Sequence, residues 1–165
     1  MLFRSEWRIQ RAKLPERWTL ETFPFARQPG VNRKQIRGFA ELEFIAKAEN
    51  IVFVGKTAVG KTGLACGLLL KALENGYRCQ FIKAQDLFDE MYASLADRST
   101  RQLLNRLARL DVLLIDELGA CPRNPPRLRE QIKRTRVIML YAEGLPTLPS
   151  RSRLSVAAEI GRAHV

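Results

Sequence analysis

The chain has 165 residues, a hydrophobic fraction of 46%, a charged fraction of 27% and a formal net charge of +11. This length suits one domain with its own core, and the composition argues against a disordered chain or a membrane protein. The single histidine, His164, argues against histidine-based catalysis, and three cysteines at no metal-ligand spacing indicate a reduced, cytoplasmic protein.

The first segment, residues 1–31, is a basic lead-in interrupted by prolines, with the aromatic side chains Trp7, Trp18, Phe23 and Phe25. A helix is predicted to begin after Asn32, a favourable N-cap residue, and to end near Asn50. Its apolar positions follow helical spacing at Ile36, Phe39, Leu42, Ile45 and Ala46.

Four short apolar runs predict buried strands, at residues 51–54, 79–82, 112–115 and 137–140. Helical stripes lie between the first three runs, at Ala65, Leu68, Leu69 and Ala72, at Leu87, Phe88, Met91 and Leu95, and at Leu103, Leu104, Leu107 and Leu110. Asn75-Gly76 predicts the end of the first of these helices. The alternation predicts an α/β fold with a parallel sheet and flanking helices, while residues 142–165 predict no element.

A phosphate-binding loop is predicted between the first strand and the helix that follows it. The segment matches G-x-x-x-x-G-K-[ST] at every constrained position, with the residues Gly55, Lys56, Thr57, Ala58, Val59, Gly60, Lys61 and Thr62. The glycines let the backbone wrap a phosphate, Lys61 supplies a cation for it, and the Thr62 hydroxyl is a magnesium ligand. A glycine-rich turn before a surface helix is the alternative, and the position between strand and helix favours the phosphate loop.

Two carboxylates follow the third predicted strand, Asp116 and Glu117. The carboxyl end of a parallel strand is where such sheets bind ligands, so Asp116 is a candidate magnesium residue. Glu117 is a candidate general base for water attack on a γ-phosphate, and Lys61 is the second candidate catalytic residue. Two acids at a strand end are common, but here they follow a phosphate loop.

With these motifs the chain resembles the IstB-like ATP-binding proteins, AAA+ ATPase helpers of insertion-sequence transposition that are related to DnaC-type helicase loaders. The resemblance covers about the first 120 residues, in the segments 20–25, 31–36, 48–55, 74–78, 84–88 and 113–119. It implies a P-loop ATPase core that binds ATP and Mg²⁺, hydrolyses ATP, self-assembles on DNA and delivers or activates a transposase.

Three parts of the family pattern are missing or incomplete in this sequence. Only the end of the N-terminal recruitment domain corresponds to the lead-in. The strand after the acid pair should end in Thr, Ser or Asn, but residues 137–140 run into Tyr141. The late arginines and the helical lid have no counterpart. The fold is therefore predicted to be incomplete on its C-terminal side, which leaves open whether this chain hydrolyses ATP.

The positive charge is a weaker argument for DNA than its size implies, because residues 121–165 contribute +6 of the +11. The candidate DNA contacts lie in the lead-in and the first helix, at Arg4, Arg8, Arg11, Lys13, Arg17, Arg33, Lys34 and Arg37. A solvated helix face explains them equally well.

Residues 121–165 form a third segment after the lead-in (1–31) and the ATPase core (32–120). The last six residues match one frame of a common sequencing-library adapter, Ile160-Gly161-Arg162-Ala163-His164-Val165. Two interpretations stay open, a frame shift near Gly119 or Ala120 that continues into adapter sequence, or a divergent basic tail.

The leading functional prediction is an ATPase that assists DNA transposition together with a transposase and further copies of itself. A DnaC-like helicase loader and a nucleotide-binding fragment without turnover are the alternatives. A small-molecule kinase is a more distant one, because the Asp-Glu pair suits attack by water.

Overall fold

Five parallel strands form the centre of the molecule, with helices on both faces, in a computed structural model that describes residues 2–56, 58–117, 134–142 and 154–159. The strands are β1 (Asn50–Gly55), β2 (Cys79–Lys83), β3 (Val112–Asp116), β4 (Arg136–Ala142) and β5 (Leu154–Glu159). The helices are α1 (Leu2–Arg11), α2 (Arg33–Ala40), α3 (Glu43–Ala46), α4 (Lys61–Glu74), α5 (Ala84–Ala96) and α6 (Thr100–Ala108), with a 3₁₀ turn at Phe25–Arg27.

The strand order is β2-β3-β4-β1-β5, so β4 lies between β3 and β1. The register pairs Ile138 of β4 with Ile51 of β1 on one side and Leu114 of β3 on the other. All paired strands run in the same direction, and therefore their carboxyl ends meet at one edge of the sheet. The predicted phosphate loop follows β1 at this edge, and the acid pair lies at the end of β3.

Alternate residues of the strands face two separate cores, as expected for strands buried on both faces. One core lies between the sheet and α4, with α1 and α2 beside it, and includes Ile51, Phe53, Val112, Leu114 and Ile138. The other lies under α5 and α6 and includes Val52, Leu113, Ile115, Val137 and Met139. The four predicted strands are confirmed.

The sequence predicted one buried face on helix α4, but the helix is buried continuously from Leu64 to Leu70. Two glycines on α4 allow the lead-in to lie close against it. A Cβ at Gly67 would stand 2.9 Å from Leu20 Cδ2, and one at Gly63 would meet the Trp18 ring at 3.6 Å. The helix ends where predicted, since Gly76 adopts φ +94° after Asn75.

The single helix predicted from Asn32 to Asn50 is wrong. Asn32 does cap α2, because its side chain accepts a hydrogen bond from the Gln35 backbone N–H at 3.1 Å. The chain then turns at Leu42, which has φ +60° and separates α2 from α3. This left-handed conformation costs roughly 1–2 kcal/mol, which burial of the Leu42 side chain offsets. Asn50 begins β1 instead of ending a helix.

Three further features differ from the sequence predictions. The lead-in contains α1, and the residue after it, Ala12, is fully buried. The backbone oxygen of Ala12 accepts a hydrogen bond from the Phe81 N–H on the edge strand β2. Leu95, predicted to face the core, is 66% exposed near the end of α5. Strand β5 lies in the segment for which no element was predicted, and it pairs with β1. Among the helices that the structure describes, none has both the length and the apolar character needed to cross a bilayer.

Candidate nucleotide-binding site

The loop between β1 and α4 wraps around the start of α4. Gly55 ends β1, and Ala58 and Gly60 adopt positive φ values of 65° and 89°, which turn the chain back toward the helix. A Cβ at Gly60 would stand 2.9 Å from Phe23 Cε2, so both the backbone angle and the neighbouring ring require glycine here. The candidate residue Thr57 lies outside the described residues.

The start of α4 gives this loop a positive electrostatic character. The first N–H groups of any helix lack partners within the helix, and the helix dipole places partial positive charge at the same end. Lys61 adds a full positive charge. Its ammonium group lies at the loop, where it donates hydrogen bonds to the backbone oxygens of Gly55, at 2.7 Å, and of Lys56. The lysine therefore spans the loop from the helix back to the strand. This arrangement suits an anion such as a phosphate.

A hydrogen bond joins the two motifs across the sheet edge. The Thr62 hydroxyl donates to Asp116 Oδ2 at 3.0 Å, although the residues are 54 positions apart in the sequence. Asp116 is only 8% exposed, and its second oxygen accepts the Glu117 backbone N–H at 2.7 Å. A hydroxyl and a carboxylate side by side are hard oxygen donors of the kind that Mg²⁺ prefers, with water and phosphate oxygens as its remaining ligands. These residues therefore fit a magnesium ion.

Glu117 lies at the same edge and has an unusual backbone conformation. Its φ is +61°, directly after the last residue of β3. Its carboxylate is 58% exposed and lies 3.6 Å from the ammonium group of Lys83, at the end of β2. The sequence prediction had assigned no role to Lys83, because the contact depends on β2 and β3 being neighbours in register.

A cavity of about 470 Å³ opens beside the loop, between α4 and the lead-in. Trp18, Phe23 and Pro24 line one side, and Gly60 and Gly63 lie on the other. The structure places Phe23 both in the core and at this cavity. Trp18 was missed, and its only sequence signal was an aromatic residue in a basic lead-in.

Cys66, on α4 beneath the loop, is an unsuitable nucleophile. Burial first, and then the negative charges of Asp116 and Glu16, raise the pKa of the Cys66 thiol to about 12. The thiol therefore stays protonated at neutral pH, whereas the reactive form is the thiolate. Burial likewise raises the pKa of Cys79. The chemistry of this site consequently depends on lysine, threonine and carboxylate groups.

Most of the candidate DNA contacts are exposed, on α1, α2 and the lead-in, whereas Arg8 is half-buried. Arg11 lies over the Trp7 ring at 4.7 Å, Arg33 lies over Phe25 at 5.3 Å, and Arg17 pairs with Glu6 at 3.0 Å. These contacts engage part of the positive charge within the protein. The side chain of Arg4 lies outside the described residues.

The strand after the acid pair, β4, was expected to end in Thr, Ser or Asn, but a buried aromatic residue lies there. Tyr141 of β4 lies opposite Val54 in β1, one residue before Gly55, and is 7% exposed. No Thr, Ser or Asn occurs among residues 136–142, which form β4. The departure seen in the sequence is therefore located beside the phosphate loop.

The strand order, the loop and the acid pair together define a P-loop nucleoside triphosphatase fold of the AAA+ type. Solved structures agree on the fold, at identities too low to show more. A DNA replication initiation factor matches with a TM-score of 0.71 and 20% identity, over 90% of this chain and 51% of that one. The DnaC helicase loader matches with a TM-score of 0.59 and 22% identity, over 78% of this chain and 87% of that one.

Sequence comparisons show to which family this chain belongs. The profile of the family described as IstB-like ATP binding protein matches residues 3–128, and the chain belongs to this family. The insertion sequence IS21 ATP-binding protein of Pseudomonas aeruginosa is 37% identical over 119 residues, which are 72% of this chain and 45% of that protein. The IS5376 protein of Geobacillus stearothermophilus is 37% identical over 117 residues, 71% of this chain and 47% of its own length. The chain thus spans less than half the length of these relatives.

Proposed function

We propose that this chain binds ATP with Mg²⁺ at residues 55–62 and hydrolyses it, as the ATPase core of a helper of DNA transposition. The observation that carries the proposal is the 3.0 Å hydrogen bond between Thr62 and Asp116. It brings a phosphate-loop hydroxyl and a strand-end carboxylate together, which neither motif achieves alone. Family membership supports the choice of ATP.

The phosphates of ATP would lie in the loop, against the N–H groups at the start of α4. The Lys61 ammonium would exchange its bonds to the Gly55 and Lys56 carbonyls for the β- and γ-phosphate oxygens. A magnesium ion held by Thr62 and Asp116 would neutralise charge that develops on the phosphates. Glu117 would accept a proton from the attacking water or orient it toward phosphorus.

The cavity beside the loop would hold the base and ribose. Its volume of about 470 Å³ lies within the usual range for small-ligand sites, and Trp18 offers an aromatic face that is 38% exposed. The base would lie between the lead-in and the first turn of α4, next to Gly63. The lead-in therefore forms part of the proposed site.

A binding and turnover assay on the full chain tests this function. Lys61→Ala should weaken ATP binding by at least about 100-fold, because it removes charge-assisted bonds to the phosphates. Lys71→Ala, at the far end of the same helix, is the matched control and should bind as the unchanged protein does. Equal ATP affinity in all three proteins would contradict a phosphate site in this loop.

Binding without turnover is the second candidate function, and Tyr141 favours it. A buried tyrosine beside the loop replaces the polar side chain that would contact a γ-phosphate. Measuring phosphate release at several protein concentrations separates the two candidates. Release that grows faster than linearly with concentration, and is lost in Lys61→Ala, supports a hydrolytic assembly and contradicts a binding fragment.

The transposition role is proposed from the insertion-sequence relatives and includes DNA, a transposase and further copies of this chain as partners. A transposase gene beside the source gene supports this role, whereas replication genes support a helicase loader. The chain should bind duplex DNA more tightly with a non-hydrolysable ATP analogue than without it. Equal binding in both states would contradict ATP-controlled assembly on DNA.

A further inference from the structure

Two helices present large apolar side chains to solvent, away from the cavity beside the phosphate loop. Trp7 on α1 and Tyr92 and Leu95 on α5 are each more than half exposed. Helix α1 packs against α4 on one face of the sheet, whereas α5 packs on the other face. Exposed aromatic side chains are enriched where proteins bind each other, so both helices are candidate interaction surfaces.

On α5, an aromatic and an acidic side chain share the side that lies away from α6. Helix α6 contacts α5 at Ser94 and through the ion pair of Arg106 with Glu90. Tyr92 is two positions from both Glu90 and Ser94, which places it nearly opposite them around the helix. Asp89 precedes Tyr92 by three residues, so their side chains are neighbours on the helix surface. We call Asp89 and Tyr92 the α5 patch.

On α1, an aromatic and a basic side chain share the outward side. Ile9 and Ala12 are buried in the core around α4, whereas Trp7 and Arg11 are exposed one helical turn apart. The Arg11 guanidinium lies over the Trp7 ring at 4.7 Å, so the two side chains form one surface. We call Trp7 and Arg11 the α1 patch.

The two patches are complementary in charge. Neither Arg11 nor Asp89 forms an ion pair with any residue of the chain that the structure describes. The net charge of +11 makes copies of the chain repel each other, except where an acidic surface of one copy meets a basic surface of another. Because the patches belong to helices on opposite faces of the sheet and are both exposed, they do not cover each other within one chain.

We propose that the α5 patch of one copy binds the α1 patch of a second copy, with Arg11 paired to Asp89 and Trp7 packed on Tyr92. Arginine and large aromatic residues are the side chains that most often dominate the binding energy of such contacts. The inference rests on the part of the proposed function that assembles several copies, and it names the surfaces through which they meet. It does not depend on whether the chain hydrolyses ATP.

Sedimentation velocity of the full chain tests this contact, first without nucleotide and then with a non-hydrolysable ATP analogue. The unchanged chain should sediment faster as its concentration rises from about 1 µM to about 100 µM, as expected for a weak contact of small area. Arg11→Glu, Asp89→Arg and Tyr92→Ala should each weaken association by at least about fivefold. Arg37→Glu and Glu41→Arg, which change the net charge by the same amounts at exposed positions of α2 and its end, should associate as the unchanged chain does.

A mixture of the two charge variants provides a readout that misfolding or a general effect of charge would not reproduce. Asp89 of the Arg11→Glu chain meets Arg11 of the Asp89→Arg chain, and the two introduced side chains form a second pair of opposite charge. The equimolar mixture should therefore associate about as tightly as the unchanged chain, although each variant alone does not. A mixture that associates no more tightly than the separate variants overturns the inference.

ATP affinity, measured on the same proteins, separates this inference from the proposed nucleotide site. Neither patch lines the cavity beside the phosphate loop, so every variant should bind ATP as the unchanged chain does. If copies associate through the patches but bind no ATP, the nucleotide function fails and the inference stands. An unchanged chain that stays monomeric in both nucleotide states overturns it, and so does association that the patch variants leave intact. Loss of duplex DNA binding in Arg11→Glu without loss of association would assign the α1 patch to DNA instead.

Discussion

The two ends of the β-sheet use similar polar groups in opposite ways. At the amino edge, defined by Asn50, Arg78, Asp111 and Thr135, the side chains of Asn50, Asp111 and Thr135 bond the backbone of the protein itself, and the Arg78 guanidinium pairs with the Asp111 carboxylate. Asp111 accepts the Arg78 backbone N–H at 2.8 Å, and the Asn50 side chain accepts the Val137 N–H at 2.9 Å. The first bond connects β2 with β3 just before the two strands begin, and the second connects β1 with β4 at their amino ends.

The carboxyl edge, defined by Lys61, Thr62, Lys83, Asp116 and Glu117, joins four of its side chains in two pairs, while Lys61 donates to the backbone oxygens of Gly55 and Lys56. The Thr62–Asp116 bond and the Lys83–Glu117 pair join side chains that can exchange partners for a ligand. Hydrogen bonds to the backbone stabilise the fold, whereas bonds among accessible side chains are replaceable. Variants of the carboxyl edge should therefore alter ATP handling, and variants of the amino edge should alter stability.

The largest expected effect is that of Glu117→Gln on turnover. The amide keeps the shape of the side chain but cannot accept a proton, so kcat should fall by about 10²–10⁴-fold while ATP affinity stays the same. Steady-state phosphate release and equilibrium ATP binding measure the two quantities. Glu41→Gln, an exposed glutamate beside α2, is the control. A kcat for Glu117→Gln within about threefold of the unchanged chain would exclude general-base catalysis by this residue.

The second effect concerns the base of the nucleotide. Trp18→Ala removes an aromatic face at the cavity and should weaken ATP binding by about 10-fold, since stacking on a base contributes about 1–3 kcal/mol. Binding of inorganic triphosphate should not change, because it does not occupy the cavity. Trp7→Ala, which removes an exposed tryptophan on α1, should affect neither ligand. Parallel loss of ATP and triphosphate binding would show that Trp18 supports the loop and not the base.

The sequence predicted the carboxyl edge better than the lead-in for a physical reason. Buried strands and the glycine-lysine pattern are local signals, so the strands at residues 51–54 and 112–115, and the order of strand, loop and helix around residues 55–62, were predicted from the sequence alone. The position of Asp116 at the carboxyl edge of the sheet followed from them, because such sheets bind ligands there, whereas the Thr62–Asp116 hydrogen bond is seen only in the structure. The features that the sequence could not predict depend on tertiary contacts. The turn at Leu42 depends on burial of its side chain, and the Lys83–Glu117 contact depends on which strands are neighbours.

The lead-in illustrates the same limit. Helix α1 has a strongly polar sequence, and a short isolated helix is marginal in water without tertiary packing. Ile9 and Ala12 are buried against the core around α4, which no local pattern indicates. Trp18 and Phe23 lie at the cavity because glycines on the loop and α4 leave room for them. The proposed base site is consequently a product of packing between distant segments.

The third prediction concerns stability at the amino edge. Asp111→Ala removes the acceptor for the Arg78 backbone and for its guanidinium, which lies 3.0 Å from Asp111 Oδ1. The free energy of unfolding should fall by about 1–2 kcal/mol, because the bond to the backbone N–H counts for more than the partly exposed ion pair. Urea unfolding measures this change. ATP affinity should stay constant, and a large loss of affinity would show that the two edges are not independent.

The same carboxylate predicts a dependence on pH. Burial alone would raise the pKa of Asp111, but hydrogen bonds from the Arg78 side chain and backbone, together with its charge, hold it below the ordinary value. Stability from this group is therefore complete above the ordinary aspartate pKa of about 3.9 and is lost as the pH falls through the lower folded value. Asp111→Asn should make urea unfolding less sensitive to pH below about 4. An unchanged acid dependence would mean that other carboxylates determine it.

The smallest predicted effect is that of Thr135→Val, also at the amino edge. The Thr135 hydroxyl lies 2.9 Å from the backbone oxygens of both Leu107 and Leu110, at the end of α6, and the residue is 3% exposed. Valine keeps the shape and removes the donor, so unfolding should become easier by about 1 kcal/mol, with ATP binding and turnover unchanged. A stability equal to that of the unchanged chain would mean that water satisfies these carbonyls. A loss of turnover would mean that α6 transmits changes from the amino edge to the ATP site, and the division between the two edges would then fail at this helix.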